Sequence, residues 1–488
     1  MARAIPLAVA LSSVLALTGT ALANVRITVV SQDPYTNTSS YHQTEVEPDT
    51  FAFGTTILSD FQVGRFTDGG ASNIGWSRST DSGLHWSSGF APSLTIYSTP
   101  PGTFKRATDP SVAYDRKHNV WMLGILGSNA ASGFVGNAIL ASRSTDGGAT
   151  FGGPITVKTA TGGQNYDKTW VACDNTPTSP FYGNCYFEWD DNGSGNLLKM
   201  SRSTDGGLTW TDSTVPANQI VIGGQPLTQP NGTVVVPTDD GFESSAESYV
   251  STNGGASYTG PFSISSFQQH FVAGGLRSPN LISAEVDGAG KIYVVFYDCR
   301  FRSGCSSNDI VMSTSTNGQT WTPVVRIPID PTSSTVDHFL PGIGVDVTTS
   351  GATAKLGVNY YYYPQANCSA TTCQLDVGFI SSSDGGASWS AARQLSGPFT
   401  LTWLPNTTQG YMVGDYNSVS WIGGHAHTVY AAAQAGTCQL GQITTCHEPM
   451  VAPRVLLGSD PAAAVAGLDR PVAGWHPNVP RTTLKSNR

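Results

Sequence analysis

Several charged residues of this sequence open short apolar segments, where a strand would carry them to one end of a sheet. Asp109 precedes Pro110-Ser111-Val112, Asp167-Lys168 precedes Thr169-Trp170-Val171, and Asp415-Tyr416 follows Gly414. A carboxyl group at such a place can serve as a general acid or base, and equally as a turn cap before proline. Asp167 and Lys168 offer opposite charges side by side, for a site or for an ion pair within one sheet. The segment Phe296-Tyr297-Asp298-Cys299-Arg300-Phe301-Arg302 ends an apolar run with one carboxylate and two guanidiniums. That set suits an anionic sugar, or a local contact between Asp298 and Arg300. His338 can assist proton transfer near neutral pH or stand as a hydrogen-bonded loop histidine. Arg65, Arg106 and Arg277 add forked donors for a carboxylate, and Tyr416 is the preferred phenol. His42, Glu45 and Glu47 read either as channel-facing groups or as a solvated run. His425 and His427 share one strand face, but no third ligand is specified and no metal site is expected there. No cofactor is required; a structural calcium can sit among aspartates and loop carbonyls, although no dedicated twelve-residue loop is present.

The elements that must position these residues are announced by a repeated phrase. It reads STDSGLHW at Ser79–Trp86, STDGGATF from Ser144, STDGGLTW from Ser203, STNGGASY from Ser251, STNGQTW from Ser315 and SSDGGASW from Ser382. Its Asp or Asn positions, Asp81, Asp146, Asp205, Asn253, Asn317 and Asp384, recur every 50 to 70 residues or roughly so, the length of one small four-stranded sheet. The Asx side chain can accept backbone N–H bonds, the glycines allow positive φ, and the closing aromatic packs between sheets. A second phrase marks seven strand openings, beginning at Glu47, Asp109, Asp167, Gln225, Ser278, Leu340 and Gly414. Seven radial sheets are therefore expected, with six as the rival count. Val25–Val30 is a suitable strand to complete the last sheet near Met450–Leu457. The Tyr360–Tyr363 run is expected to alternate between core and surface.

Composition sets the class. The chain has 488 residues, 54 of them glycine, with 12% charged and 10% aromatic residues, so a helical bundle and a disordered chain are both excluded. A net charge of -9 offers no field for nucleic acid or an anionic membrane. Residues 1–23 carry Arg3, an apolar run from Ile5 to Leu17 and Ala21-Leu22-Ala23, the pattern of a secretory signal. Residues 24–458 form one domain, and 459–488 a peripheral tail. No later apolar stretch is long enough to span a membrane. The eight cysteines fall into close pairs, Cys173 with Cys185, Cys299 with Cys305, Cys368 with Cys373 and Cys438 with Cys446, as expected of local disulfides in an exported protein. Sequons begin at Asn37, Asn192, Asn231, Asn367 and Asn406.

The six phrases resemble the Asp-box, or BNR repeat, of the sialidase-like β-propellers, and the resemblance runs from about Asn24 to Leu457. It implies an all-β propeller with Asp-box turns at the blade periphery, away from the active face. It also implies a secreted, monomeric protein acting on acidic sugars of glycans or polysaccharides. The family's site is a bowl with three arginines clamping a carboxylate, a Tyr-Glu nucleophile pair and an Asp acid/base. The family's N-terminal Phe-Arg-Ile-Pro phrase has no clean counterpart; Arg65 is the nearest position in the first blade. A hydrolase, a lyase acting on uronates, and a non-catalytic binding propeller are the three functions to be separated.

Overall fold

Turn chemistry delimits the strands. The computed structural model describes residues 25–435, 438 and 446–458, so the expected export signal (1–23) and tail (459–488) lie outside the described residues. In the first sheet Glu45–Phe53, Thr56–Arg65, Ala71–Ser79 and Ser87–Phe90 run antiparallel as successive neighbours. Its last turn is closed by side chains. The Ser79 hydroxyl donates to Asp81 at 2.9 Å and accepts the Gly83 N–H at 2.8 Å, and the His85 N–H donates to Asp81 at 2.9 Å. Gly83 has φ +83°, a conformation in which any other side chain would be strained. Asp146, Asp205, Asn253, Asn317 and Asp384 take the same serine hydroxyl in the same turn of the next five sheets.

The chain is all-β, built from antiparallel sheets. The first strands of the second to sixth four-stranded arrays are Arg106–Asp115, Tyr166–Cys173, Leu227–Thr228, Ser283–Val286 and Asp337–Val345. The first three arrays are joined at their edges by single residue pairs, Ala71 with Ala107 and Gly136 with Tyr166. A seventh array begins with Ser418–Ile422 and is completed by the N-terminal strand Ile27–Val29, which pairs with Met450–Pro453. Each first strand packs against that of the next array, and Ser418–Ile422 packs against Glu45–Phe53.

The core lies between sheets. Leu58, Ile74 and Trp76 of the first sheet pack with Leu123, Ile125, Leu140 and Phe151 of the second. Middle strands are covered on both faces, which corrects one expectation: Tyr360, Tyr361 and Tyr363 are all buried, and only Tyr362 is half-buried. All four cysteine pairs form the expected disulfides. No helix among the described residues is long and apolar enough to cross a membrane.

The first strands share an irregularity that matters for the site. Register shifts interrupt pairing between Val46 and Asp49, Thr108 and Ser111, Asp167 and Trp170, and Phe339 and Gly342. Within these bulges Glu47, Asp109, Lys168 and Leu340 have φ of 58°, 47°, 48° and 49°. Non-glycine residues adopt this region at a cost of about 1–3 kcal/mol each, and bulges re-aim side chains. In three of the four sheets the re-aimed residue is charged.

Lower in the same strands, Asp49 accepts N–H bonds from Thr50 at 2.7 Å and Val112 at 2.8 Å. Burial nevertheless pushes its carboxyl up to about 7, and burial followed by the charge of Asp49 pushes Glu285 up to about 8. Unfolded carboxyls titrate near about 4, so the folded chain holds more protons between there and pH 8. The stability these groups contribute is present below that unfolded value and is lost as pH rises through 7 to 8. The thermal midpoint should therefore fall between pH 5 and pH 9, with a shallower slope in the Asp49→Asn, Glu285→Gln double variant. A midpoint that climbs with pH in calorimetry would contradict this.

Candidate functional site

Three bulges and the ends of neighbouring strands deliver charge to one buried cluster. Lys168 is its centre. Its backbone N–H donates to Asp109 Oδ2 at 3.0 Å, and its Nζ donates to Asp415 Oδ2. Arg277, on the connection into the fifth sheet, closes on the same carboxylate: Nε donates to Asp415 Oδ1 at 2.5 Å and Nη2 to Oδ2. Arg277 also donates to the Gln409 side chain. On the other side, a chain of bonds reaches Asp109 from Arg65. Arg65 Nη1 donates to Gln62 Oε1 at 2.9 Å, Gln62 Nε2 donates to Thr108 Oγ1 at 2.8 Å, and Thr108 donates to Asp109 Oδ1 at 3.2 Å. Gln62 Nε2 also donates to Glu47.

Electrostatics separates the two aspartates. Burial tends to raise Asp415, but the charges of Arg277 and Lys168 and their hydrogen bonds outweigh it and hold the carboxyl far below its ordinary value. Burial also raises Asp109; there Lys168 pulls the other way, but Glu47, Asp167 and Asp415 add repulsion, and the carboxyl stays well above its ordinary range. The two carboxyls are thus driven in opposite directions. Burial lowers Arg65, and its Nε has no hydrogen-bond partner among the described residues. Burial works against the charge of Lys168 too, but Asp415, Asp109 and Glu47 more than offset it. A small pocket bordered by Lys168, Trp170, Gln225, Leu281 and Tyr416 adjoins the cluster.

Of the residues singled out from sequence, Asp109, Asp415, Lys168, Arg277 and Arg65 come together, with Asp167 acting on Asp109 and Arg277 through its charge. Tyr416 adjoins them, but its hydroxyl donates to the Pro110 carbonyl at 2.9 Å and its ring meets Trp170 edge-on at 5.1 Å. Burial keeps that phenol protonated, so it is a packing group rather than a ready nucleophile.

The others are held elsewhere. Asp298 takes Arg300 Nε at 2.9 Å and the Gln268 N–H at 2.9 Å, a local contact at the end of its strand. Arg106 donates to Asp68 at 2.5 Å and to the Gly69 and Ala131 carbonyls, and lies 4.2 Å from the centre of the Phe66 ring. Arg302 is fully buried between Asp309 and Asp330, which Arg326 also bridges. His338 sits at the edge of that network, its Nε2 3.9 Å from Asp330 and its Nδ1 3.2 Å from the Asn308 carbonyl. Asp309, Asp330 and His338 bring three potential ligand atoms within 4.8 Å of one another. This set could hold a metal ion, and its two carboxylates are shared with the guanidiniums of Arg302 and Arg326.

Glu47 is the main site residue that sequence reasoning left in doubt. Glu45 and Glu47 are both buried, not members of a solvated run. The signal was present in Glu47-Pro48-Asp49, which matches Asp109-Pro110-Ser111 position for position. Gln62 and Asp190 were missed. Asp190 is fully buried, with neither carboxyl oxygen partnered among the described residues, and burial raises it well above its ordinary range.

No family model matches the chain, and no curated protein matches it. Among solved structures it is similar to a protein of unknown function from Dyadobacter fermentans, at 18% identity over 74% of this chain and 99% of that one, with a TM-score of 0.45. It is similar to the Hadza microbial sialidase Hz136 at 12% identity, covering 86% of this chain and 66% of that one, TM-score 0.45. It is similar to the NanB sialidase of Streptococcus pneumoniae at 14% identity, covering 88% and 70%, TM-score 0.44. The chain thus spans about two thirds of the length of either sialidase. None of these likenesses assigns a role to a residue.

Proposed function

We propose that the seven arrays are blades of a closed sialidase-like propeller with six Asp-box turns, and that the chain is an exported glycoside hydrolase acting on acidic sugars. The observation that carries this reading is the convergence of Asp109, Glu47, Asp415, Lys168, Arg65 and Arg277 from distant strands, where the surroundings raise the Asp109 carboxyl well above its ordinary range and drive Asp415 far below it. Titratable neighbours whose environments drive them apart are the arrangement that acid and base chemistry needs. Asp109 donates its proton to the glycosidic oxygen. Glu47, whose hydrogen bond comes from the neutral Gln62, is the second carboxylate, directing water or the sugar's developing positive charge. Asp415 anchors Lys168 and Arg277, and Arg65 and Arg277 meet the substrate carboxylate. The orphaned Nε of Arg65 supports that assignment. Four local disulfides support an oxidising, extracellular setting.

A binding propeller without turnover is the second reading. It is favoured by the phenol of Tyr416, which is committed to a carbonyl and gives no nucleophile. Aryl glycosides of sialic and uronic acids separate the two. Hydrolysis predicts release of the aglycone, with KM raised about tenfold or more in Arg65→Met and kcat little changed. Saturable glycan binding with neither aglycone release nor the ultraviolet absorbance of an unsaturated product would establish the binding module instead.

A further inference from the structure

A short hairpin crosses the rim of the charged cluster and sets one side chain against it. Its strands are Asn406–Thr407 and Gly410–Tyr411, on the connection from the sixth sheet to the seventh. Bonds from separate parts of the fold pin it. Thr408 N–H donates to the Thr67 carbonyl, in a turn of the first sheet, at 2.8 Å, and Arg277 N–H, on the way into the fifth, donates to the Tyr411 carbonyl at 2.7 Å. The Tyr41 hydroxyl donates to the Asn406 carbonyl at 3.0 Å. The hairpin approaches the fifth sheet's connection closely: Gly410 has φ +114°, and a Cβ there would lie 2.4 Å from the Gly275 carbonyl oxygen, so only glycine fits. Inside the turn, the Thr407 hydroxyl donates to the Gly410 carbonyl at 2.7 Å and accepts the Gln409 N–H at 3.2 Å.

These bonds fix where Gln409 stands. Its Oε1 accepts from Nη1 of Arg277, on the guanidinium whose Nε and Nη2 already serve Asp415. Exposure rises along this chain of bonds, from 0% for the Asp415 side chain to 18% for that of Arg277, and Gln409 is exposed. A dissolved ligand therefore meets Gln409 and Nη1 of Arg277 before it meets the buried carboxylate. A guanidinium can only donate, so it takes the amide oxygen and leaves the amide N–H groups turned away from it. Among the described residues none accepts from Nε2 of Gln409. One charged and one neutral donor thus stand side by side where the network reaches solvent, an arrangement suited to a carboxylate, which only accepts. We infer that Gln409 is a specificity-determining residue whose Nε2 donates to the acid group of the sugar that Arg277 holds. The inference rests on the reading of the site as one for acidic sugars.

Isothermal titration of the full chain with an acidic monosaccharide and with its methyl ester tests the two readings separately. Wild type should prefer the acid. Gln409→Ala alters an exposed side chain and should keep the wild-type thermal midpoint. It should bind the acid about tenfold more weakly, with the affinity for the ester changed by less than about twofold. In Gln409→Glu the oxygen that Arg277 donates to is kept while the donors are lost and a charge is added, so the preference for acid over ester should reverse. Equal loss on acid and ester in Gln409→Ala would show that the residue only steadies Arg277 and would overturn the inference, as would a Gln409→Glu variant that still prefers the acid. A wild-type preference that survives Gln409→Ala in full overturns the inference alone. A wild type that binds neither ligand, or binds the acid no better than the ester, overturns the acidic-sugar reading and the inference with it.

Discussion

Asp109→Asn lowers kcat by about 10²- to 10⁴-fold on an acidic aryl glycoside while leaving the fold intact, if Asp109 is the proton donor. The substitution separates the two roles of the residue cleanly. Asparagine keeps an oxygen that can accept the Lys168 N–H, at 3.0 Å in the present structure, and the left-handed backbone at this position suits asparagine better than most residues. Because burial raises the Asp109 carboxyl well above its ordinary range, exchanging it for a neutral amide relieves the cost of burying its charge. The thermal midpoint should stay where it is or rise. A donor with a raised pKa also sets the alkaline limb of kcat/KM, which declines as pH climbs past that value, and the limb should disappear in the variant. Unchanged turnover in the variant would remove Asp109 from the mechanism.

Asp415→Ala has the opposite profile and loses stability first. Its carboxylate is the shared partner of Lys168 and Arg277, and side-chain exposures of 6% for Lys168 and 18% for Arg277 leave neither cation well hydrated. Removing one member of a buried ion network costs about 3–5 kcal/mol, since the desolvated charges remain. Arg277, nearer the rim, can turn outward and recover part of that; Lys168 cannot. Urea titration at pH 7 measures the difference directly. Asp415 is depressed below its unfolded value, so its contribution is present above about pH 4 and is lost only as pH falls through the folded value. The gap between wild type and variant should hold from pH 5 to pH 8 and narrow in strong acid. A variant as stable as wild type would show that Lys168 and Arg277 do not depend on Asp415.

The strand openings and turn phrases were legible because each is a local solution to a local problem. Ser79 and Asp81 satisfy the backbone of their own turn, and Cys173 and Cys185 meet across one hairpin. The same locality explains Asp298 and Arg300, two residues apart and joined to each other rather than to the cluster. Sequence offered that contact and an anionic-sugar site as equal options; geometry selected the contact. His338 was legible only as a titratable group, and the Arg302–Asp309–Asp330 network beside it comes from chain folding back over several connections.

Composition and periodicity determined that the chain is all-β, that its sheets recur, and where charged residues open the strands, because hydrogen-bonded turns and strand pairing are written within each repeat. Which of those residues share a site was decided by tertiary structure alone. Lys168 and Asp415 are 247 residues apart, and Arg277 and Asp415 138. Only the packing of one first strand on the next brings them within reach, and only the bulges at Glu47, Asp109 and Lys168 turn those side chains toward each other. Burial and the neighbouring charges then drive the two carboxyls in opposite directions, a property that no single segment carries.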